Sequence, residues 1–351
     1  YTGNENNKAG KSAGIYIYGL NMNTGRLSKI GNSPQTVNPS YLAVDPERQR
    51  LFAVNEIGGE TPAGQISAFR LTDQGRGMEF INSVPSEGNY PCYIALDGSG
   101  NFVMCANYGS GTVALFPVRA DGSLENSSFT GQHKISKNPT ERQESAHAHM
   151  ILLSPDKRFV YSCDLGSDKI YLYKLDTAAR KLVPTGKNYS SQSGAGPRHM
   201  TFHPGKDIAY VVNELNGTIE VMQVDVPTGI LTRIQTISTV DNEDGKEASC
   251  ADIHLTPSGK YLYASNRGDI NNLAMYTVDQ ESGKLTLIGH QSVKGKTPRN
   301  FIIDPEGIFL LVANQDSDNV VTFTIDQATG KLIDTGVETQ VPSPVCIKFL
   351  L

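Results

Sequence analysis

GPRHMTFHP (residues 196–204), followed nine residues later by NELNG (213–217), reads as a proline-opened strand, a His-Pro-Gly turn and an apolar return run ending on a carboxylate. Variants of this phrase recur along the chain. They are NPSYLAVDP (38–46), YPCYIALDG (90–98), AHMILLSPD (148–156), CADIHLTPS (250–258) and TPRNFIIDP (297–305), with SPVCIKFLL (343–351) as a seventh. The residues in the proline slot are Pro39, Pro91, Ala148, Pro197, Cys250, Pro298 and Pro344. Sixteen residues after each of the first six stands Asn55, Asn107, Asp164, Asn213, Asn266 or Asn314. That offset is constant while successive anchors lie 46 to 57 residues apart, so a rigid repeated core is joined by connections of variable length.

Within a unit the apolar pattern has period two. Tyr41 to Val44, a turn at Asp45-Pro46, Leu51 to Val54, GQISAFRL (64–71) and Phe80 to Val84 predict four antiparallel strands. Asp-Pro, Ser-Pro-Asp, His-Pro-Gly, Thr-Pro-Ser-Gly and Asp-Pro-Glu-Gly supply the first hairpin turns. Seven such units predict an all-β fold, a seven-bladed β-propeller of four-stranded antiparallel blades, as one domain over residues 1–351. No segment carries the apolar spacing of an amphipathic helix, and the absence of tryptophan argues against the WD40 subclass. PVCIKFLL reads as an innermost strand without a hairpin partner, and GIYIYGLNMNTGRLSKIG (14–31) as outer strands without inner ones. Both chain termini are therefore expected to close the last blade, with Tyr1-Thr2-Gly3 ending its second strand and part of that strand lying upstream.

Composition excludes several classes. Of 351 residues 38% are hydrophobic, and no apolar run approaches the roughly 20 residues of a membrane span. A net charge of −5 with dispersed basic residues leaves no footprint for nucleic acid. Cys92, Cys105, Cys163, Cys250 and Cys346 are odd in number and widely spaced, which reads as free thiols rather than disulfides. No zinc Cys-x-x-Cys, P-loop or dinucleotide fingerprint occurs, so no cofactor is expected. The chain opens on Tyr1 rather than Met. The cytoplasm is slightly favoured, the periplasm is compatible with a removed signal peptide, and the oligomeric state is open.

The offsets also place polar groups. The residue one after the anchor opens the first strand, and the residue seventeen after it ends the second, so both belong to one end of the blade. The first column is Ser40, Cys92, His149, Arg198, Ala251, Arg299 and Val345; the other is Glu56, Tyr108, Leu165, Glu214, Arg267 and Gln315. Three arginines against two glutamates predict a cationic mouth for a small anionic ligand, although Arg198 with Glu214 also fits a structural ion pair. His147 and His149 share a strand face, but no third zinc-type ligand follows from the spacing, and no metal is expected. His199, His203 and His254 read as hydrogen-bonded structural histidines, and His199, beside Arg198, stands also among the substrate-side groups. The asparagines read as satisfying backbone groups at strand ends, and Asp241 to Asp244 as a solvated turn.

GAGPRHMTFHP, VVNELN, ADIHLTPSGKYLYASNR and TPRNFIID resemble the seven-bladed propeller lactonases, the family of the propeller-type 6-phosphogluconolactonases and fungal carboxymuconate cyclase, over essentially the whole chain. The resemblance implies a hydrolase opening a sugar-acid lactone, 6-phosphogluconolactone foremost, in the pentose phosphate pathway. It implies His149, Arg198, Glu214 and Arg267 as catalytic groups and Arg299 as a further arginine, and the offsets add Glu56, Tyr108, Gln315 and His199 on the substrate side. The histidine segment SAHAHMILLSPD leaves His147 beside His149 as the alternative. A carboxymuconate-type cycloisomerase and a non-catalytic propeller binding module are the rival readings.

Overall fold

The computed structural model describes residues 12–34, 36–59, 61, 63–135, 141–241 and 247–350. Six sheets carry the repeat, each built of consecutive strands paired in sequence order: sheet I (residues 39–85), II (91–132), III (148–190), IV (197–238), V (250–292) and VI (298–340). Sheet III has an added short strand, Tyr189–Ser190, against its third strand. A separate two-stranded sheet joins Tyr16–Leu20 to Leu27–Asn32. The only helices among the described residues are the three-residue turns Asp73–Gly75 and Glu141–Gln143, and no helix there is long and apolar enough to cross a membrane. This is an all-β propeller architecture of antiparallel up-and-down sheets.

The constant offset of sixteen is a hydrogen-bonding register. Pro39 pairs with Asn55, Pro91 with Asn107, Ala148 with Asp164, Pro197 with Asn213, Cys250 with Asn266 and Pro298 with Asn314. The turns between first and second strands are held by the side chain six after the anchor. Asp97 accepts the Phe102 N–H at 3.3 Å, Ser154 that of Phe159 at 3.0 Å and Thr256 that of Tyr261 at 3.2 Å. Short oxygen-bearing side chains are suited to this, because they satisfy backbone donors that the turn leaves without a strand partner.

The chain resolves into two compact units: residues 1–18, 29–196 and 348–351, and residues 19–28 and 197–347. In the first, Ile15 packs with Leu51, Ala53, Phe69, Leu71 and Met78. In the second, Tyr210, Val212 and Val221 of sheet IV share a core with Ile253, Leu262 and Tyr276 of sheet V. The other face of sheet V sends Tyr263 and Met275 against Phe301, Val312 and Phe323 of sheet VI. A second strand such as Tyr261–Asn266 is thus buried along its whole length, and the expected alternation is confined to outer strands such as Leu332–Gln340. Burial on both faces removes the selection for polar residues at alternate positions.

Segment 344–350 forms no strand, contrary to the innermost strand expected of PVCIKFLL. A strand needs a ladder partner, and the expected one, ending at Tyr1-Thr2-Gly3, lies outside the described residues, as does Asn242–Asp244 of the acidic loop. The segment is held by side chains. The Ile347 N–H donates to Asn300 Oδ1 at 2.7 Å. The Lys348 ammonium lies 4.7 Å from the centre of the Tyr41 ring.

Four of the five asparagines serve the backbone, while Asn213 Nδ2 donates to the Thr218 hydroxyl at 3.0 Å. Nδ2 of Asn55, Asn107, Asn266 and Asn314 donates to the carbonyls of Val37, Ser86, Thr239 and Val293. Asn266 is fully buried and also bonds Asn272 and the Thr239 hydroxyl, both at 2.9 Å. Asn266→Ala strands buried polar partners, so it is expected to destabilise by about 1–3 kcal/mol. Denaturant unfolding measures this, and an unmoved midpoint would contradict it.

Candidate active site

A bulge builds the polar column after each anchor. In all six sheets the register slips by one residue immediately after the anchor pair, so Ser40, Cys92, His149, Arg198 and Arg299 are each the extra residue of their strand. In sheet V the slip covers Ala251 and Asp252. Bulges bend a strand and re-aim the side chain they carry. The second column is pinned beside the first: the N–H groups of Glu56, Tyr108, Leu165, Arg267 and Gln315 donate to the carbonyl preceding the anchor at 2.9–3.0 Å. That preceding residue is left-handed at Asn38 (φ 41°), Tyr90 (51°), Gly196 (65°) and Thr297 (57°). Only Gly196 adopts this without steric cost, so Tyr90 and Thr297 hold backbone strain at the same end of their sheets.

In the second unit Arg198, 1% exposed, donates through Nε to Glu214 Oε2 at 2.9 Å. Arg267 Nη2 reaches the same oxygen at 3.0 Å, so one carboxylate bridges two guanidiniums. Arg267 is further fixed to the carbonyls of Ser249 (3.3 Å) and Cys250 (3.2 Å). Burial and then the Arg267 charge pull Arg198 down to about 10, Glu214 opposes this, and Arg299 adds to it. Arg198 therefore stays charged at neutral pH, with the Arg267 and Arg299 charges offset by the Glu214 and Asp252 carboxylates. Sheet VI places partly buried Arg299 and Gln315 at its corresponding end, and Gln315 Oε1 is buried with no hydrogen-bond partner among the described residues. Cys250 lies beneath the cluster, where burial pushes its thiol up to about 12. It is protonated and unsuited to act as a nucleophile.

The column two after the anchor forms a second layer in this unit. His199 Nδ1 lies 2.8 Å from Asp252 Oδ1, His254 Nε2 lies 3.1 Å from Asp252 Oδ2, and Asn300 Nδ2 donates to that same Oδ2. Burial would raise the Asp252 carboxyl, but the His254 and His199 contacts hold it well below the usual range. Burial, then the Arg198 charge, lowers His199 to about 4, so its ring is neutral. With one ring nitrogen toward Asp252 and the other 3.3 Å from Arg198 Nη1, His199 is engaged as scaffold. His254 is tied to Asp252 likewise.

In the first unit Tyr108 sits between two histidines, stacked on His147 with ring centres 4.4 Å apart and edge-on to His149 at 5.5 Å. His147 Nδ1 donates to the Tyr108 carbonyl at 3.0 Å. Its Nε2 lies 3.3 Å from Glu144 and 3.4 Å from the Ser145 hydroxyl. His149 Nδ1 lies 3.7 Å from Cys92 Sγ. Both histidines are buried. Glu56 is partly buried, while the Ser40 hydroxyl is buried without a partner among the described residues. Asp164, the one acid in the asparagine column, bonds His133 Nδ1 at 2.7 Å, and His133 Nε2 meets the Tyr173 hydroxyl at 3.0 Å. No group of three or more metal-ligating side chains is gathered among the described residues.

The predicted site residues thus form two sets, Arg198, Glu214, Arg267, Arg299, Gln315 and His199 in the second unit and His149, Tyr108 and Glu56 in the first. Sequence reading missed Asp252 and Asn300. They occupy the same column as His199 in the repeated phrase, and that alignment was the available signal.

Residues 1–349 match the profile of the family described as lactonase, 7-bladed beta-propeller. The chain is 34% identical to the 6-phosphogluconolactonase of Bacillus subtilis, over 97% of this chain and 95% of that protein. It is 33% identical to the 6-phosphogluconolactonase of Formosa agariphila, over 95% and 93% respectively. Among solved structures, the periplasmic gluconolactonase of Pseudomonas aeruginosa superposes with a TM-score of 0.90 at 34% identity, covering 95% of this chain and 94% of that one.

Proposed function

The chain belongs to the seven-bladed β-propeller lactonase family, and from that membership we propose that it is a lactone-hydrolysing enzyme that opens 6-phosphogluconolactone to 6-phosphogluconate, a step of the pentose phosphate pathway. The observation that carries the chemistry is the Glu214 carboxylate bridging Arg198 and Arg267 at 2.9 and 3.0 Å, with Arg299 near enough to depress Arg198. The fold that goes with this reading is a single seven-bladed ring over residues 1–351. The hairpin Tyr16–Leu20 with Leu27–Asn32 supplies outer strands of its last blade, and segment 344–350 the innermost piece. The side-chain anchoring of Ile347 and Lys348 supports that closure.

Water adds to the lactone carbonyl carbon, the resulting oxyanion collapses, and the ring C–O bond breaks with a proton delivered to the departing oxygen. Arg198 is assigned the oxyanion, because a buried, fixed cation stabilises charge there without reorganising. Glu214, held between the two guanidiniums, is assigned the proton transfers. His149, the histidine the family resemblance implies, is the bulge residue of its own first strand, as Arg198 is of its own. Arg267 and Arg299, less buried than Arg198, are assigned the phosphate. Gln315, at the corresponding end of sheet VI, is assigned to the sugar hydroxyls. No cofactor enters this scheme.

The test is a coupled assay on freshly generated 6-phosphogluconolactone, with spontaneous opening subtracted and gluconolactone and muconates run beside it. Saturable acid release from the phosphorylated lactone is expected. Preference for a muconate would favour the cycloisomerase, and inertness toward all substrates the binding module. Arg299→Ala should raise KM for the phosphorylated lactone about tenfold while kcat stays within about twofold. An unchanged KM would remove Arg299 from the phosphate role.

A further inference from the structure

We propose that Asp252 is a positioning residue for this reaction: through His199 it fixes the Arg198 guanidinium so that Nη2 is the edge presented to substrate. The inference rests on the lactonase reading and assigns a task to groups outside the rim columns. A guanidinium has only donors. At the 3.3 Å contact between Arg198 Nη1 and His199 Nε2, the histidine must therefore accept. A neutral imidazole that accepts at Nε2 carries its proton on Nδ1, and Nδ1 lies 2.8 Å from Asp252 Oδ1, which accepts it. One tautomer satisfies both contacts, and Asp252 selects it.

The remaining Arg198 donors follow. Nε is held by Glu214 at 2.9 Å, and Nη1 is shared between His199 and the Ala251 carbonyl. Nη2 is the nitrogen without a hydrogen bond among the described residues. Asp252 is itself held by His254, by the side chain of Asn300 and by the Ile253 N–H at 3.0 Å. Asn300 is tied in turn to the Ile347 N–H. The Arg198 side chain thus stands on a buried network reaching from sheet IV through sheet V to sheet VI. Such support matters because a displacement of about 1 Å at a reacting centre costs about 10²-fold in rate.

His199→Phe keeps the ring volume and removes both hydrogen bonds. His199→Gln keeps an amide oxygen and an NH2 that can accept from Arg198 and donate to Asp252. The expected result is a kcat about 10²-fold lower in the phenylalanine variant with KM nearly unchanged, and a glutamine variant within about tenfold of the parent. Asp252→Asn should lower kcat in the parent yet add nothing in an Arg198→Met background, since the two changes act on one element. Nitrogen-15 spectra of His199 should report the Nδ1–H tautomer, a readout independent of turnover. A phenylalanine variant as active as the glutamine one, additive losses in the double variant, or an Nε2–H tautomer would each overturn the proposal. A parent protein that opens no lactone while His199 shows the Nδ1–H tautomer overturns the lactonase reading instead.

Discussion

Arg198→Met is expected to lower kcat/KM for 6-phosphogluconolactone by about 10²–10³-fold, the range for removing one fixed donor from a developing oxyanion. Methionine fills much of the same volume, and Glu214 keeps Arg267 as counter-ion at 3.0 Å. No carboxylate is therefore left alone in the interior. The stability loss should fall below the about 3–5 kcal/mol typical of orphaning one partner of a buried pair. Initial rates with spontaneous opening subtracted, read beside a thermal melt, separate the two effects. A folded variant retaining more than about a tenth of the parental kcat/KM would remove Arg198 from the oxyanion.

The second large effect is expected of Glu214→Gln. The carboxylate Oε2 accepts from Arg198 and pairs with Arg267 at 3.0 Å, so its charge sits where two cations converge. Glutamine preserves the shape and can keep an oxygen toward both guanidiniums, but it deletes that charge. As base or as proton carrier the amide is inert, so kcat should fall by about 10²-fold or more. Unlike the Arg198 change, this one leaves two cations facing each other, one of them fully buried. A stability loss toward the about 3–5 kcal/mol of a broken buried pair should accompany it. A kcat within about twofold of the parent would leave Glu214 as a structural bridge only.

The placement of Arg198 beside Glu214 was legible because it is written in backbone register. Pro197 and Asn213 pair, a bulge follows, and the position of Arg198 next to Glu214 is then a matter of counting. The bulge itself was not legible. It adds one residue to a strand without leaving any composition signal, yet it is what turns Arg198 inward. Equally hidden was the double occupancy of Glu214 Oε2, since Arg267 lies on a different sheet and only the packing of sheet V against sheet IV brings it to 3.0 Å. His147 and His149 were left as alternatives. In the structure, the Tyr108 carbonyl and the stacked Tyr108 ring engage His147, while His149 occupies the bulge.

By itself the sequence determined the repeat, the pairing of each anchor with the residue sixteen on, and the two columns that open and close the inner hairpins. Those features depend on local pairing, turn chemistry and period-two burial, all of which are encoded within about twenty consecutive residues. Only the tertiary structure decided which side chains of neighbouring sheets meet: His199 with Asp252, Asp252 with Asn300, Arg198 and Arg267 on one carboxylate oxygen. Those contacts depend on how the sheets stack and twist against one another, and no periodicity along a single strand carries that information.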